Sequence, residues 1–180
     1  MVSSSGPPTL SKAAKKFKRS DGTCTSSGQV YSVSLTSIGW ARSIQDLSEE
    51  DLRAVVHATL HALVSLHGAN LVHRDLRLDN ILWQAKSKPF LNDLELVAES
   101  NQKVPEGVFF RGWDASTLSP NSTYTTTSDL YQLGKIMESF PQDRLSVEGK
   151  DLCRQLCGKS IESAQNALAH RWVACPGSCG

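Results

Sequence analysis

Leu71-Val72-His73-Arg74-Asp75-Leu76-Arg77-Leu78-Asp79-Asn80-Ile81-Leu82 is the stretch on which the reading of this chain turns. Two apolar pairs, Leu71-Val72 and Ile81-Leu82, bracket six polar or charged side chains. If both pairs are buried, the middle is held as a rigid loop that presents a carboxylate, an amide and a cation at one point. Asp75 can accept a proton from a hydroxyl, Arg77 can neutralise a phosphate, and Asn80 can ligate a metal through its amide oxygen. Taken alone, an Asp in such a setting is more often a turn or cap residue, so the flanking sequence has to decide.

Working outward toward the C-terminus, Ile81-Leu82-Trp83 reads as a short strand, Lys86-Ser87-Lys88-Pro89 as a turn and Phe90-Leu91-Asn92 as a second strand. Asp93 follows, eighteen residues after Asp75. The whole arrangement resembles the protein kinase superfamily. His73, Arg74, Asp75, Leu76 and Asn80 match its catalytic loop His-Arg-Asp-Leu-x-x-x-Asn, and Asp93 stands where the family places the metal-binding Asp of Asp-Phe-Gly. The triplet here is Asp93-Leu94-Glu95; Glu in place of Gly adds a charge and removes a flexible position. The resemblance implies Asp75 as catalytic base, Arg77 as phosphate contact, and Asn80 and Asp93 as Mg²⁺ ligands. It further implies ATP as phosphoryl donor and a Ser or Thr hydroxyl of a protein substrate as acceptor.

On the N-terminal side, Ser48-Glu49-Glu50-Asp51 opens a helix, with Ser48 as cap and acidic residues in the first turn. Leu52, Val55, Val56, Leu60, Leu63, Val64 and Leu66 recur at helical spacing, and Gly68 is placed to end it. His57, His61 and His67 lie on this helix. His57 and His61 are four apart, a spacing that suits a metal pair, but no third ligand stands at a matching distance, so they read as surface or half-buried histidines. Before the helix, Val30-Tyr31-Ser32-Val33-Ser34-Leu35 alternates as a half-buried strand and Ser37-Ile38-Gly39-Trp40 reads as a bend. By order, the resemblance makes these the last strand of the small lobe and the hinge that faces adenine. Residues 1–29 read as a flexible tail with a basic cluster, Lys12, Lys15, Lys16, Lys18 and Arg19, that is either a solvated arm or an import signal.

Beyond Asp93, hydroxyls crowd the stretch from Ser116 to Ser128, which reads as a surface loop. The resemblance makes it the activation segment, with Arg74 placed to pair with a phosphate on it. Asp129-Leu130-Tyr131-Gln132-Leu133-Gly134 begins a helix running to Phe140 before Pro141. In the family pattern Asp-x-x-x-x-Gly this Asp accepts hydrogen bonds from the catalytic loop, so Asp129, with His73 and Arg74, is expected as a structural brace under Asp75. Residues Ser163 to Trp172 resemble the family's last helix, with Arg171 in place of its proline. The Ala-Pro-Glu triplet is not recognisable near Ala115 to Pro120, and its Arg partner would fall at about Ile161; losing both ends of an ion pair is tolerable where losing one is not. Cys153 and Cys157 share a helix face and Cys175 and Cys179 repeat the step. A four-cysteine zinc site would ask for tighter spacing, so reduced thiols are expected.

The 180 residues are 39% hydrophobic and 21% charged with a net charge of +1. That suits a globular chain and gives no electrostatic argument for nucleic acid or a membrane surface. No apolar run reaches the length of a membrane span and no secretory signal is visible, which together with the basic cluster points to the cytoplasm or nucleus. The expected fold is mainly α within an α+β family: a kinase-like C-terminal lobe with a small hairpin at the catalytic loop. Residues 30–173 are assigned to the kinase-like domain and 174–180 to a short Cys/Gly-rich tail. Residues 1–47 contain neither Gly-x-Gly-x-x-Gly nor Val-Ala-x-Lys, so the expected small lobe is missing or truncated. Two functions stay open: a divergent Ser/Thr phosphotransferase, weak or inactive in this chain alone, and a pseudokinase or truncated fragment that binds a partner kinase or other protein without catalysis.

Overall fold

The computed structural model describes residues 39–174, apart from 86–87, 105–106 and 108–109. The expected strand at Val30 to Leu35, the basic tail and Cys24, Cys175 and Cys179 lie outside these residues. Helix α1 (Glu49–Gly68) is the frame. Ser48 caps it reciprocally: its Oγ accepts from Asp51 N at 3.1 Å and Asp51 Oδ2 accepts from Ser48 N at 3.1 Å, so two otherwise unpaired first-turn donors are satisfied. The predicted stop at Gly68 is displaced. Gly68 stays helical, and Asn70 takes the left-handed conformation at φ 57°, a role the short polar Asn side chain tolerates.

Leu52, Val55, Val56, Leu60 and Leu63 of α1 are fully buried in one apolar core with residues of α2 (Thr126–Ser139) and α3 (Val147–Cys157). From α2 come Leu130, Leu133 and Met137; from α3 come Leu152 and Leu156. The α2–α3 contact is close because Gly134 has no side chain: a Cβ there would lie 2.8 Å from Cys157 Sγ and 2.9 Å from Cys157 N. Glu49 ties three helices together. Its Oε1 accepts from Ser146 N at 3.0 Å, from Ser146 Oγ, and from Trp172 Nε1 at 2.8 Å. Burial raises the Glu49 carboxyl, but these hydrogen bonds from Ser146 and Trp172 outweigh it and hold the group below its ordinary pKa. The single last helix expected over Ser163 to Trp172 is instead two short ones, α4 (Ala164–Leu168) and α5 (Arg171–Ala174), with His170 between them.

Two antiparallel ladders hold the loop region. Strands β2 (Ile81–Ala85) and β3 (Lys88–Leu91) form the expected hairpin with longer strands than predicted, pairing Ile81 with Leu91 and Leu82 with Phe90. Asn92 lies past the end of β3. The second ladder, β1 (Leu71–Val72) with β4 (Ala98–Glu99), was not anticipated from sequence. It closes the chain on itself across the His73–Asn80 loop and the Asp93 segment. Trp40 is not part of a free bend: it exchanges backbone hydrogen bonds with Trp83 at 3.1 and 2.9 Å. Gly39 permits this approach, since a Cβ there would sit 2.7 Å from Leu82 Cβ. Among the described residues no helix is long and apolar enough to cross a membrane.

Candidate functional site

Both apolar anchors are seated as their sequence requires: Val72 and Ile81 are fully buried. Between them the backbone takes an unusual path, with Arg74 in the left-handed region at φ 72°. A non-glycine residue there stores strain that its surroundings must over-determine. Asp129, fully buried at the start of α2, supplies that constraint. Its carboxylate accepts from His73 N at 2.9 Å and from Arg74 N at 3.1 Å. It also accepts from the Tyr124 hydroxyl at 2.7 Å and lies 3.0 Å from His67 Nε2 on α1. Trp113 Nε1 holds the next group along, donating to the Arg74 carbonyl at 2.9 Å.

His73 is fully buried and bridges the loop to the hairpin. Its Nε2 lies 3.2 Å from the Asn92 carbonyl, and Asp75 N donates to its Nδ1 at 3.3 Å. Those two contacts together require the Nε2–H tautomer. Asn92 N donates in turn to the Asn80 carbonyl at 2.8 Å. The residue immediately before Asp93 is thereby fastened to both His73 and Asn80.

Asp75 itself is 7% exposed and Asn80 6%. The Asn80 amide nitrogen donates to the Asp75 carbonyl and to Asp75 Oδ2, both at 2.8 Å. Arg77 reaches the same oxygen at 3.4 Å. With its nitrogen occupied, Asn80 has its amide oxygen left as the end for a cation. Asp93 is exposed and takes φ 63°, a second left-handed non-glycine residue at the far end of the site. Asn80 and Asp93 offer oxygen donors. That chemistry fits Mg²⁺, a hard cation that keeps several waters and leans on substrate phosphates rather than an all-protein cage. No group of three His, Cys, Asp or Glu side chains gathers as a metal cage among the described residues.

The hydroxyl-rich stretch is not the uniform surface loop that its composition suggests. Thr117, Tyr124 and Ser128 are buried. Tyr124 Oη donates to Asp129 Oδ1 and to Gln132 Oε1, each at 2.7 Å, and its ring stacks on Trp113 with centroids 5.1 Å apart. Burial first, and then the neighbouring Asp129, raise the Tyr124 hydroxyl well above its ordinary pKa, so it stays a donor. Gln132 Oε1 also accepts from Leu76 N at 3.0 Å. Asp114 pins the stretch to α2 by accepting from the Tyr131 hydroxyl at 2.6 Å. Arg74 sits over Phe110 at 5.3 Å, and its Nε is buried without a hydrogen-bond partner. Ile161, where the family's Arg would fall, is 7% exposed in the apolar core.

Tyr124, Gln132, His67, Trp113 and Asn92 escaped the sequence reading. Gln132 was the most accessible of them, since it lies one helical turn from Asp129 on the same face. His67, Trp113 and Asn92 depend on chain closure over longer sequence separations, up to 62 residues for His67 and Asp129, whereas Tyr124, five residues before Asp129, is masked by the hydroxyl-rich run around it.

Residues 31–152 match the protein kinase domain family. Among similar proteins, mitogen-activated protein kinase 3 of Arabidopsis thaliana is 32% identical over 145 residues, covering 73% of this chain and 39% of that protein. Mitogen-activated protein kinase 2 of Oryza sativa subsp. japonica is 32% identical over 118 residues, 64% of this chain and 30% of that protein. Mitogen-activated protein kinase 6 of Arabidopsis thaliana is likewise 32% identical over 118 residues. The chain spans roughly a third of the length of these relatives. With a catalytic-loop motif, a buried Asp under it and a family match over most of its length, this chain belongs to the protein kinase family.

Proposed function

We propose that this chain carries the catalytic-loop half of an ATP-dependent Ser/Thr phosphotransfer site, and that by itself it grips nucleotide weakly. The observation that supports this best is the fixed pairing of Asn80 with Asp75, two hydrogen bonds of 2.8 Å from one amide nitrogen. Asp75 Oδ2 is occupied by Asn80 and Arg77, so Oδ1 is the oxygen placed to accept the proton of an incoming hydroxyl. Arg77 keeps a cation beside that carboxylate, where a transferring phosphoryl group gathers charge. Asn80 and Asp93 would hold Mg²⁺, which when bound neutralises phosphate charge. Phosphoryl transfer depends mainly on positioning and charge stabilisation, and residues 1–47 offer no Gly-rich phosphate loop or strand Lys to complete the grip.

A second reading, a non-catalytic binding module, draws on Asp93-Leu94-Glu95 and on two exposed apolar side chains: Leu94, next to Asp93, is 58% exposed, and Trp40, bridged to Trp83 on the hairpin, is 50% exposed. Transfer of labelled γ-phosphate to a Ser/Thr peptide library separates the two. The phosphotransfer reading expects slow labelling that falls to background in Asp75→Asn. Labelling that persists in Asp75→Asn refutes Asp75 as the base, and none in either protein favours the binding module.

A further inference from the structure

A second constellation lies on the outer face of α1, apart from the catalytic loop. His57 and His61 are one helical turn apart, and their Nε2 atoms approach to 3.3 Å. The rings meet edge to face at 62°, with centroids 4.5 Å apart. That separation is at the long end of hydrogen-bond reach. It equals the spacing of two nitrogens bound to one tetrahedral cation: Zn–N bonds of about 2.0–2.1 Å place their nitrogens about 3.3–3.4 Å apart. We propose that His57 and His61 form a two-histidine chelate for a divalent transition-metal cation of the zinc class, at the wall of the cleft that α1 shares with β3, α4 and α5.

Several features support the assignment. The two side chains are exposed, while Val56 and Leu60 beside them are fully buried. The backbone that carries the pair is therefore locked by the core, and the nitrogens converge without a change of fold. The cleft they line has a volume of about 1120 Å³, ample for the water or small-anion ligands that complete the coordination shell. Of the charged groups on its wall, Glu50 favours a cation. Arg53 and Lys88 oppose one, although the Arg53 guanidinium is engaged on the Trp172 ring at 5.1 Å. No third His, Cys, Asp or Glu joins the pair among the described residues, so the site is an open, exchangeable one.

The test uses the full chain without a histidine tag, with its cysteines alkylated to silence thiolate binding, titrated calorimetrically with Zn²⁺. The native chain and a His170→Gln control should each bind one equivalent saturably, and metal should raise their melting temperature. His57→Gln and His61→Gln should each weaken binding about tenfold or more, since losing a ligand costs at least what losing its supporting hydrogen bond does. Both substitutions are at exposed positions and should leave the metal-free melt unchanged. The proposal is overturned if the alkylated chain shows no saturable binding, or if both variants bind as tightly as the native chain.

Discussion

Replacing Asp129 by Asn tests the brace beneath the His73–Asn80 loop. The native carboxylate faces donors on both oxygens: Arg74 N and Tyr124 Oη on one, His73 N and His67 Nε2 on the other. An Asn has one oxygen and one amide nitrogen, so one side must turn a donor toward donors. Tyr124 can adjust by relying on Gln132, with which it already shares its hydroxyl proton. His67 can adjust by changing tautomer. The backbone N–H of His73 or of Arg74 cannot adjust, and whichever meets the new amide is stranded in a buried site. An unsatisfied buried donor costs about 1–3 kcal/mol, and the hydrogen bonds left lose their charge assistance. The expected destabilisation is about 2–4 kcal/mol, a large share of a domain's stability. In urea titrations this should lower the midpoint by about 1–2 M with an unchanged slope. A loss under about 0.5 kcal/mol would refute the reasoning, because it would mean that the loop does not depend on the carboxylate for its path.

Gly134→Ala should lose about 1–2 kcal/mol despite the better helix propensity of Ala, because the new Cβ overlaps the α3 backbone at 2.9 Å; a higher melting temperature would contradict the close α2–α3 contact. Glu49, Asp51 and Asp114 each have a carboxyl that burial raises but that hydrogen bonds bring below its ordinary pKa, from Ser146 and Trp172, from Arg42 and Ser48, and from Tyr131 and Ser116 respectively. Their folded pKa values lie below the unfolded ones, so the stabilisation is complete above the unfolded carboxylate value and lost as pH falls through the folded values. The melting temperature should therefore hold from pH 7 to about 5 and drop below about 4; a flat profile down to pH 3 would count against these bonds. Within the α3 pair, a hydrogen bond with Cys153 holds the half-buried Cys157 thiol below its ordinary pKa, while Cys157 and burial raise that of buried Cys153. Alkylation near neutral pH, mapped by peptide mass, should label Cys157 well before Cys153, and the reverse order would refute the pairing.

The parts of the fold that were legible in the sequence are those set by local pattern. Ser48 with Asp51 announced the start of α1, and the apolar spacing from Leu52 to Leu63 announced its buried face. Ile81 to Leu91 announced the hairpin, though not that its strands reach Ala85 and start at Lys88. What was not legible rests on distant closure. The β1–β4 ladder is only two residues long on each side, too short to carry an alternation. Tyr124 sits in a run of hydroxyls that composition marks as surface, yet it is buried with Val72 and Val104, its hydroxyl donating to Asp129 and Gln132. Gly68 looked like the better helix stop, but the helix runs through Gly68 and it is Asn70, two residues on, that takes the left-handed conformation. At the site the motif supplied the residue identities. It could not supply the orientation of Asn80, which depends on the folded position of Asp75.

Calorimetric titration of the chain with ATP, with and without Mg²⁺, tests the central claim most directly. Asn80 and Asp93 are the proposed cation ligands, and each missing charge-assisted phosphate contact costs on the order of 1–3 kcal/mol. A few such losses place the affinity in the millimolar range. The account predicts weak binding that requires Mg²⁺ and disappears in Asp93→Asn. Micromolar affinity, or binding that survives unchanged in Asp93→Asn, would contradict it.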